Sequence, residues 1–195
     1  KDLEKRGHRF KTNSDTEVIV HAYEEFDEEC FQLFNGMFAI GIWDEKKKKL
    51  ILARDRLGKK PLYYSWVNET FIFASELKAL MVYPKFPKRV DSLSFMKYLF
   101  LEYVPAPHSI FKDALKLPPA SYLIWTKNGV EVHTYWSPFH QEVREKYHSE
   151  EEIVERTQFL LKQSVKRRLI SDVPLGVFLS GGIDSSTITA FAQQE

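Results

Sequence analysis

The amino-acid sequence predicts an α+β domain of antiparallel strands and flanking helices, followed by the opening of an α/β nucleotide-binding unit. Three observations carry this expectation. Apolar residues recur with period two in several short runs between residues 37 and 136, the pattern of strands that bury one or both faces. Two S-x-x-E capping boxes, one opening at Ser14 and one at Ser149, each precede a stretch of helical apolar spacing. Close to Glu195, an apolar run, a glycine- and serine-rich turn and a helical stretch follow one another, as at the start of an α/β nucleotide-binding unit.

Taken in order, Ser14-Asp15-Thr16-Glu17 caps a first helix that carries Val18, Ile19, Ala22, Tyr23 and Phe26 at helical spacing. Residues 37–44 change to period two, with Phe38, Ile40 and Ile42 on one face and Met37, Ala39, Gly41 and Trp43 on the other, which reads as a strand buried on both sides. Further strands are expected at 50–53, 62–67 and 70–74, and a four-strand antiparallel meander is the simplest arrangement of the four. The lysines at 46–49 read as a solvated hairpin tip that discourages edge pairing.

Short helices are expected at 76–81 and 93–101. Pro105, Pro107, Pro118 and Pro119 keep residues 103–119 extended or turning. Asn128-Gly129 marks a hairpin between 122–126 and 130–136. The polar stretch 137–148 reads as a linker, so the chain divides into a domain at 1–136, the linker, and a second domain opening at 149. In the second domain Ile153, Leu160, Leu161, Val165 and Leu169 mark one face of a helix of about five turns. Residues 175–179 then read as a buried strand.

Composition removes several classes of function. Of 195 residues, 44% are hydrophobic and 28% charged, and 28 Lys plus Arg stand against 27 Asp plus Glu. A net charge of +1 supplies no field for nucleic acid or an anionic membrane. The longest apolar stretch, 34–43, is far below the roughly 20 residues of a membrane helix. Cys30 is the only cysteine, which excludes an internal disulfide and points to the cytoplasm; Asp27, Glu28 and Glu29 before it should make it a poor nucleophile. The six histidines, among them His133, His140 and His148, show no metal-ligand spacing on an expected helix, and without partner cysteines no zinc site is expected. The opening Lys1-Asp2-Leu3 lacks an initiator Met and a signal segment, and the chain closes in mid-pattern for a helix, so both ends read as cut.

The chemistry concentrates in Ser180-Gly181-Gly182-Ile183-Asp184-Ser185-Ser186. Between a strand and a helix N-terminus, such a turn aims backbone N–H groups at a phosphate or pyrophosphate, and the three serines can donate to its oxygens. Asp184 would be repelled by that anion unless Mg²⁺ lies between them. The plainer reading is a tight turn at Gly181-Gly182 with Asp184 and Ser185 capping a helix. Neither a Walker sequence nor a G-x-G-x-x-G sequence is present.

These seven residues resemble the pyrophosphate loop of the asparagine synthetases and related ATP pyrophosphatases. Phe34-Asn35-Gly36-Met37-Phe38-Ala39-Ile40 and Arg54-Asp55-Arg56-Leu57-Gly58-Lys59-Lys60-Pro61-Leu62-Tyr63-Tyr64 resemble the class II glutamine amidotransferase domain. Tyr103-Val104-Pro105-Ala106-Pro107-His108-Ser109-Ile110-Phe111 and Lys116-Leu117-Pro118-Pro119 resemble the join that precedes the synthetase domain. The chain is thereby similar, over nearly its whole length, to the glutamine-hydrolysing asparagine synthetase family.

That resemblance implies a partial N-terminal-nucleophile-type αββα sandwich, followed by the start of an α/β ATP pyrophosphatase domain. It implies a ligase that splits glutamine to ammonia at an amino-terminal cysteine upstream of Lys1 and passes the ammonia to an adenylated aspartate, with ATP and Mg²⁺ required. Glutamine, aspartate and ATP would be its substrates, and a homodimer is allowed. Asp15 matches the aspartate that binds the glutamine α-ammonium; from the residues alone it is a first-turn acid on a helix. Leu179 matches a backbone contact to ATP, Ser180, Gly181, Gly182, Asp184, Ser185 and Ser186 match the pyrophosphate loop, and Asp184 matches a Mg²⁺ ligand. Ala120 stands where the family usually has Gly. Two alternatives stay open: a relative that amidates another carboxylate, and a non-catalytic fragment.

Overall fold

The computed structural model describes residues 1–140 and 146–195. The chain divides into two compact units, Lys1–Gln141 and Glu142–Glu195. Among the described residues no helix is long and apolar enough to cross a membrane.

In the first unit, the short helix α1 (Asp2–Lys5) is followed by α2 (Asp15–Phe26) and α3 (Cys30–Leu33). Strands β1 (Ala39–Asp44), β2 (Lys49–Arg54), β3 (Tyr63–Val67) and β4 (Thr70–Ala74) come next, then helices α4 (Leu77–Leu80) and α5 (Ser92–Leu101). The unit closes with β5 (Leu115–Lys116), β6 (Ser121–Thr126) and β7 (Gly129–Thr134). Two antiparallel sheets result, ordered β1-β2-β6-β7 and β4-β3-β5.

The expected single meander is therefore wrong: β1–β2 and β3–β4 are hairpins of different sheets. The reason lies in β2, whose faces are both apolar. Ile51 and Ala53 point to one side, where they pack with Ala22, Tyr23, Cys30 and Phe31 of the helices. Leu50 and Leu52 point to the other, where they meet Tyr64 and Phe71 of the second sheet along with Leu62, Leu117 and Leu123. Burying both faces needs a layer on each side, so β3 and β4 stack over β2 while its free edge pairs with β6, placing Leu52 opposite Leu123.

On the far side of the second sheet, Val67, Tyr63 and Ile72 pack with Leu77 and Leu80 of α4 and with Phe86. The order helix, sheet, sheet, helix is the αββα sandwich expected from the resemblance. A Cβ on Gly41 would stand 3.2 Å from the Phe73 ring, so the two sheets approach closely where β1 carries no side chain. The expected full burial of β1 also needs correction. Ile40 is buried but Trp43 is 50% exposed, because β1 is an edge strand.

Local signals hold where they are strongest. The Ser14 hydroxyl accepts from the Thr16 amide at 3.2 Å and caps α2. Glu17, however, reaches past the cap and accepts from the amides of Lys11 and Thr12, both at 2.7 Å. Thr126 and Gly129 pair across a two-residue turn of Lys127 and Asn128, so the expected hairpin forms, with Gly129 as the first residue of β7 rather than inside the turn. At the β1–β2 tip, Lys47 pairs with Asp27, Lys48 with Glu45 and Lys49 with Glu28. Lys46 and Lys47 also donate their amides to Asp44.

In the second unit, α6 (Glu150–Arg168) is capped by Ser149, whose hydroxyl accepts from the Glu152 amide at 3.2 Å. Glu152 accepts in turn from the His148 amide at 2.8 Å. Acidic residues fill its first turn and Lys166, Arg167 and Arg168 its last, matching the helix dipole. Helix α7 (Ile183–Gln194) packs against it, with Lys162 bonded to Gln194 and Lys166 paired with Glu195. The buried strand expected at 175–179 does not form. Phe178 is 99% exposed and Leu179 61%, and no described strand lies beside them to satisfy their backbone groups. Of the expected linker at 137–148, Pro138–His140 make a single 3-10 turn, and residues 141–145 lie outside the described residues.

Candidate functional site

Asp15 is the first residue of α2, set beside the capping hydroxyl of Ser14 at the positive end of the helix. Its carboxylate is exposed and, among the described residues, takes a single long contact from the Thr16 hydroxyl, at 3.4 Å. The backbone leading to it is held by Glu17, whose carboxyl is lowered to about 2, first by the Thr12 hydroxyl and then by the Lys11 amide. Asp15 is thus an open, negatively charged group on a fixed backbone, able to receive a cationic ammonium.

The segment after β2 is structural, as its residue types suggest. Asp55 is 2% exposed and its carboxylate accepts from the amides of Lys60 at 2.9 Å, Lys59 at 3.0 Å, Leu57 at 3.2 Å and Phe38 at 3.3 Å. Arg54 donates to the carbonyls of Lys60, Leu117 and Gly58, each at 2.7 Å, and burial lowers its pKa. Gly58 is required by its φ of 62°, and a Cβ there would lie 2.9 Å from Pro119. Ala120 adopts a φ of 52°, a left-handed backbone that glycine would take with less strain.

In the second unit the loop brings Ser180 and Ser185 together, their hydroxyl oxygens 3.0 Å apart. The Ser185 hydroxyl also donates to the Gly182 carbonyl at 3.1 Å, and the Ser186 amide donates to the same carbonyl at 3.0 Å, closing the first turn of α7. Gly181 has a φ of 83° and nothing within 4 Å of a Cβ built on it. Gly182 is the N-cap and supplies no side chain, so the first amides of α7 have no capping side chain. Asp184 lies in that first turn and is exposed, and Leu179 stands just before the loop. The arrangement is an open helix N-terminus reached over bare glycine backbone, with hydroxyls at its rim and one carboxylate beside it.

Sequence reasoning missed one cluster. His8, His21 and Glu24 bring donor atoms within 4.8 Å of one another. His21 and Glu24 are three apart on a helix and could have been noticed, but His8 reaches them only through the fold.

The sequence model of the glutamine amidotransferase domain family matches residues 1–136, and that of asparagine synthase matches residues 156–195. The chain belongs to the glutamine amidotransferase domain family. Over nearly its whole length it is similar to glutamine-hydrolysing asparagine synthetases. It is 40% identical over 195 residues to asparagine synthetase (glutamine-hydrolyzing) 3 of Bacillus subtilis (strain 168), covering 98% of this chain and 31% of the relative. It is 38% identical over 189 residues to a putative asparagine synthetase (glutamine-hydrolyzing) 2 of Methanocaldococcus jannaschii, covering 94% and 36%. Asparagine synthetase (glutamine-hydrolyzing) 2 of Bacillus subtilis is 39% identical over 199 residues, covering 96% and 26%. The chain spans between about a quarter and about a third of the length of these relatives.

Proposed function

We propose that this chain is part of an ATP-dependent ligase that hydrolyses glutamine and transfers the ammonia to an activated aspartate, forming asparagine. The observation that carries the reading is the succession of two family matches on one chain, glutamine amidotransferase domain first and asparagine synthase second. In this reading Asp15 holds the α-ammonium of glutamine. Its open carboxylate at a helix start, with a backbone fixed through Glu17, suits that role.

The loop after Leu179 would hold the pyrophosphate of ATP. The residues fit such a group, because Gly181 and Gly182 leave the backbone bare and α7 has no capping side chain. Ser180, Ser185 and Ser186 would donate to its oxygens, and Asp184 would hold Mg²⁺. The metal, when bound, would offset the charge of the departing pyrophosphate.

The test uses the protein that contains this chain, supplied with glutamine, aspartate, ATP and Mg²⁺. Asparagine, glutamate, AMP and pyrophosphate should appear together. Asp15→Asn should raise KM for glutamine about tenfold or more while leaving ammonia-dependent synthesis unchanged. Failure to make asparagine from either nitrogen source would overturn the proposal.

A further inference from the structure

Two histidines of the first unit are held nose to nose. The Nδ1 atoms of His8 and His21 lie 3.1 Å apart, and Nδ1 of His21 is 3.2 Å from Oε2 of Glu24, which is 4.0 Å from Nδ1 of His8. Each ring turns its other nitrogen toward a carboxylate. Nε2 of His8 lies 3.2 Å from Glu25, itself fixed by Arg6 at 2.8 Å. Nε2 of His21 lies 3.7 Å from Glu17, which the Lys11 and Thr12 amides hold in place.

On His8 the Glu25 carboxylate beside Nε2 favours the proton there and leaves the lone pair on Nδ1, while His21 has a carboxylate at each nitrogen, Glu17 at Nε2 and the nearer Glu24 at Nδ1. A metal ion that takes a lone pair from each Nδ1 atom would join both rings and Glu24 at one point; without it, a proton on Nδ1 of His21 would serve His8 and Glu24 together. Glu17, Glu24 and Glu25 also place three carboxylates around the rings, of which Glu25 is paired with Arg6.

From these distances we propose that His8, His21 and Glu24 bind a divalent transition-metal ion of the zinc type. Tetrahedral coordination at about 2.0 to 2.1 Å puts neighbouring ligand atoms about 3.3 to 3.4 Å apart. Two of the three separations here fall within a few tenths of that value, and the longer one ends on a carboxylate 59% exposed and free to swing. Two imidazoles with one carboxylate suit zinc rather than magnesium or calcium, which prefer all-oxygen sites. Phe10 packs edge-on against His21 with centroids 4.7 Å apart, and a water would complete the coordination of the ion. The ion would clip the segment before α2 to the helix that begins with Asp15. This inference stands independently of the ligase reading.

The test is calorimetric titration of the chelator-stripped 195-residue chain with Zn²⁺, followed by thermal melts. One ion should bind per chain at micromolar concentration or below. A hundredfold excess over Kd should raise Tm by roughly 5 to 10 °C. His8→Gln and His21→Gln should each weaken binding at least a hundredfold, and His133→Gln should change nothing. Glu24→Gln, at an exposed position, should melt like the parent without metal yet bind about tenfold more weakly. Lack of stoichiometric binding, binding that survives both histidine substitutions, or an equal response to Mg²⁺ would overturn the proposal. So would a nuclear magnetic resonance signal for a proton shared by the two rings together with a Tm indifferent to Zn²⁺.

Discussion

The guanidinium of Arg54 donates to the carbonyl of Leu117 at 2.7 Å, joining the end of β2 to the segment that leads into β6. Its two other bonds, to Lys60 and Gly58, fold the intervening loop back on the same side chain. Three carbonyls thus depend on one planar fork. Lysine cannot reproduce it, so Arg54→Lys should cost roughly 2 to 4 kcal/mol, read from urea denaturation at unchanged m-value.

Glu17 gives a defined acid response. Its carboxyl lies at about 2 in the folded chain against an ordinary 4.5, a depression caused first by the Thr12 hydroxyl. A group lowered on folding contributes stability that is complete above its unfolded value and disappears as pH falls through the folded one. The contribution should be full above about pH 4.5 and fade toward pH 2. Urea midpoints measured across this range should fall less steeply in Glu17→Gln than in the parent.

Cys30 should be chemically silent in the folded chain. It is completely buried, and burial first, with Glu28 and Asp27 next, pushes its thiol up to about 12. Iodoacetamide at pH 8 should leave it unmodified by mass spectrometry until urea unfolds the chain, when labelling should become complete. Rapid native labelling would contradict this placement.

Asp184 separates a metal ligand from a helix cap. In the protein containing this chain, Asp184→Asn keeps the size and much of the capping capacity but removes the charge. Pyrophosphate release with ammonia as nitrogen source should fall roughly a hundredfold and recover in part at high Mg²⁺, while Tm stays within about 1 °C. A loss of activity that only tracks Tm would make Asp184 a cap.

The features legible in the sequence are those decided by neighbours along the chain. Ser14 and Ser149 cap helices because their partners are two and three residues away, and Asn128-Gly129 turns because the turn is four residues long. The division into two sheets was illegible because it depends on Leu52 meeting Leu123 rather than the next strand in sequence. Residues 175–179 carry a strand-like pattern that needs a neighbouring strand to become one. The serines of the loop stand out by their residue types and Asp15 only through the family resemblance, whereas the pairing of His8 with His21 exists only after a coil has folded onto a helix.

The register that sets Leu52 against Leu123 also imposes a delay on synthesis. Leu123 lies seventy-one positions after Leu52 in the chain. At the roughly 5 to 20 residues per second of a translating ribosome, β2 waits about 4 to 14 seconds for its partner to be made. During that interval the β1–β2 hairpin shows an unpaired edge and two apolar faces, the surfaces by which nascent chains adhere to one another. Production of this chain should therefore depend on chaperone supply and on translation speed between β2 and β6, a dependence created by strand order and absent from the finished sandwich.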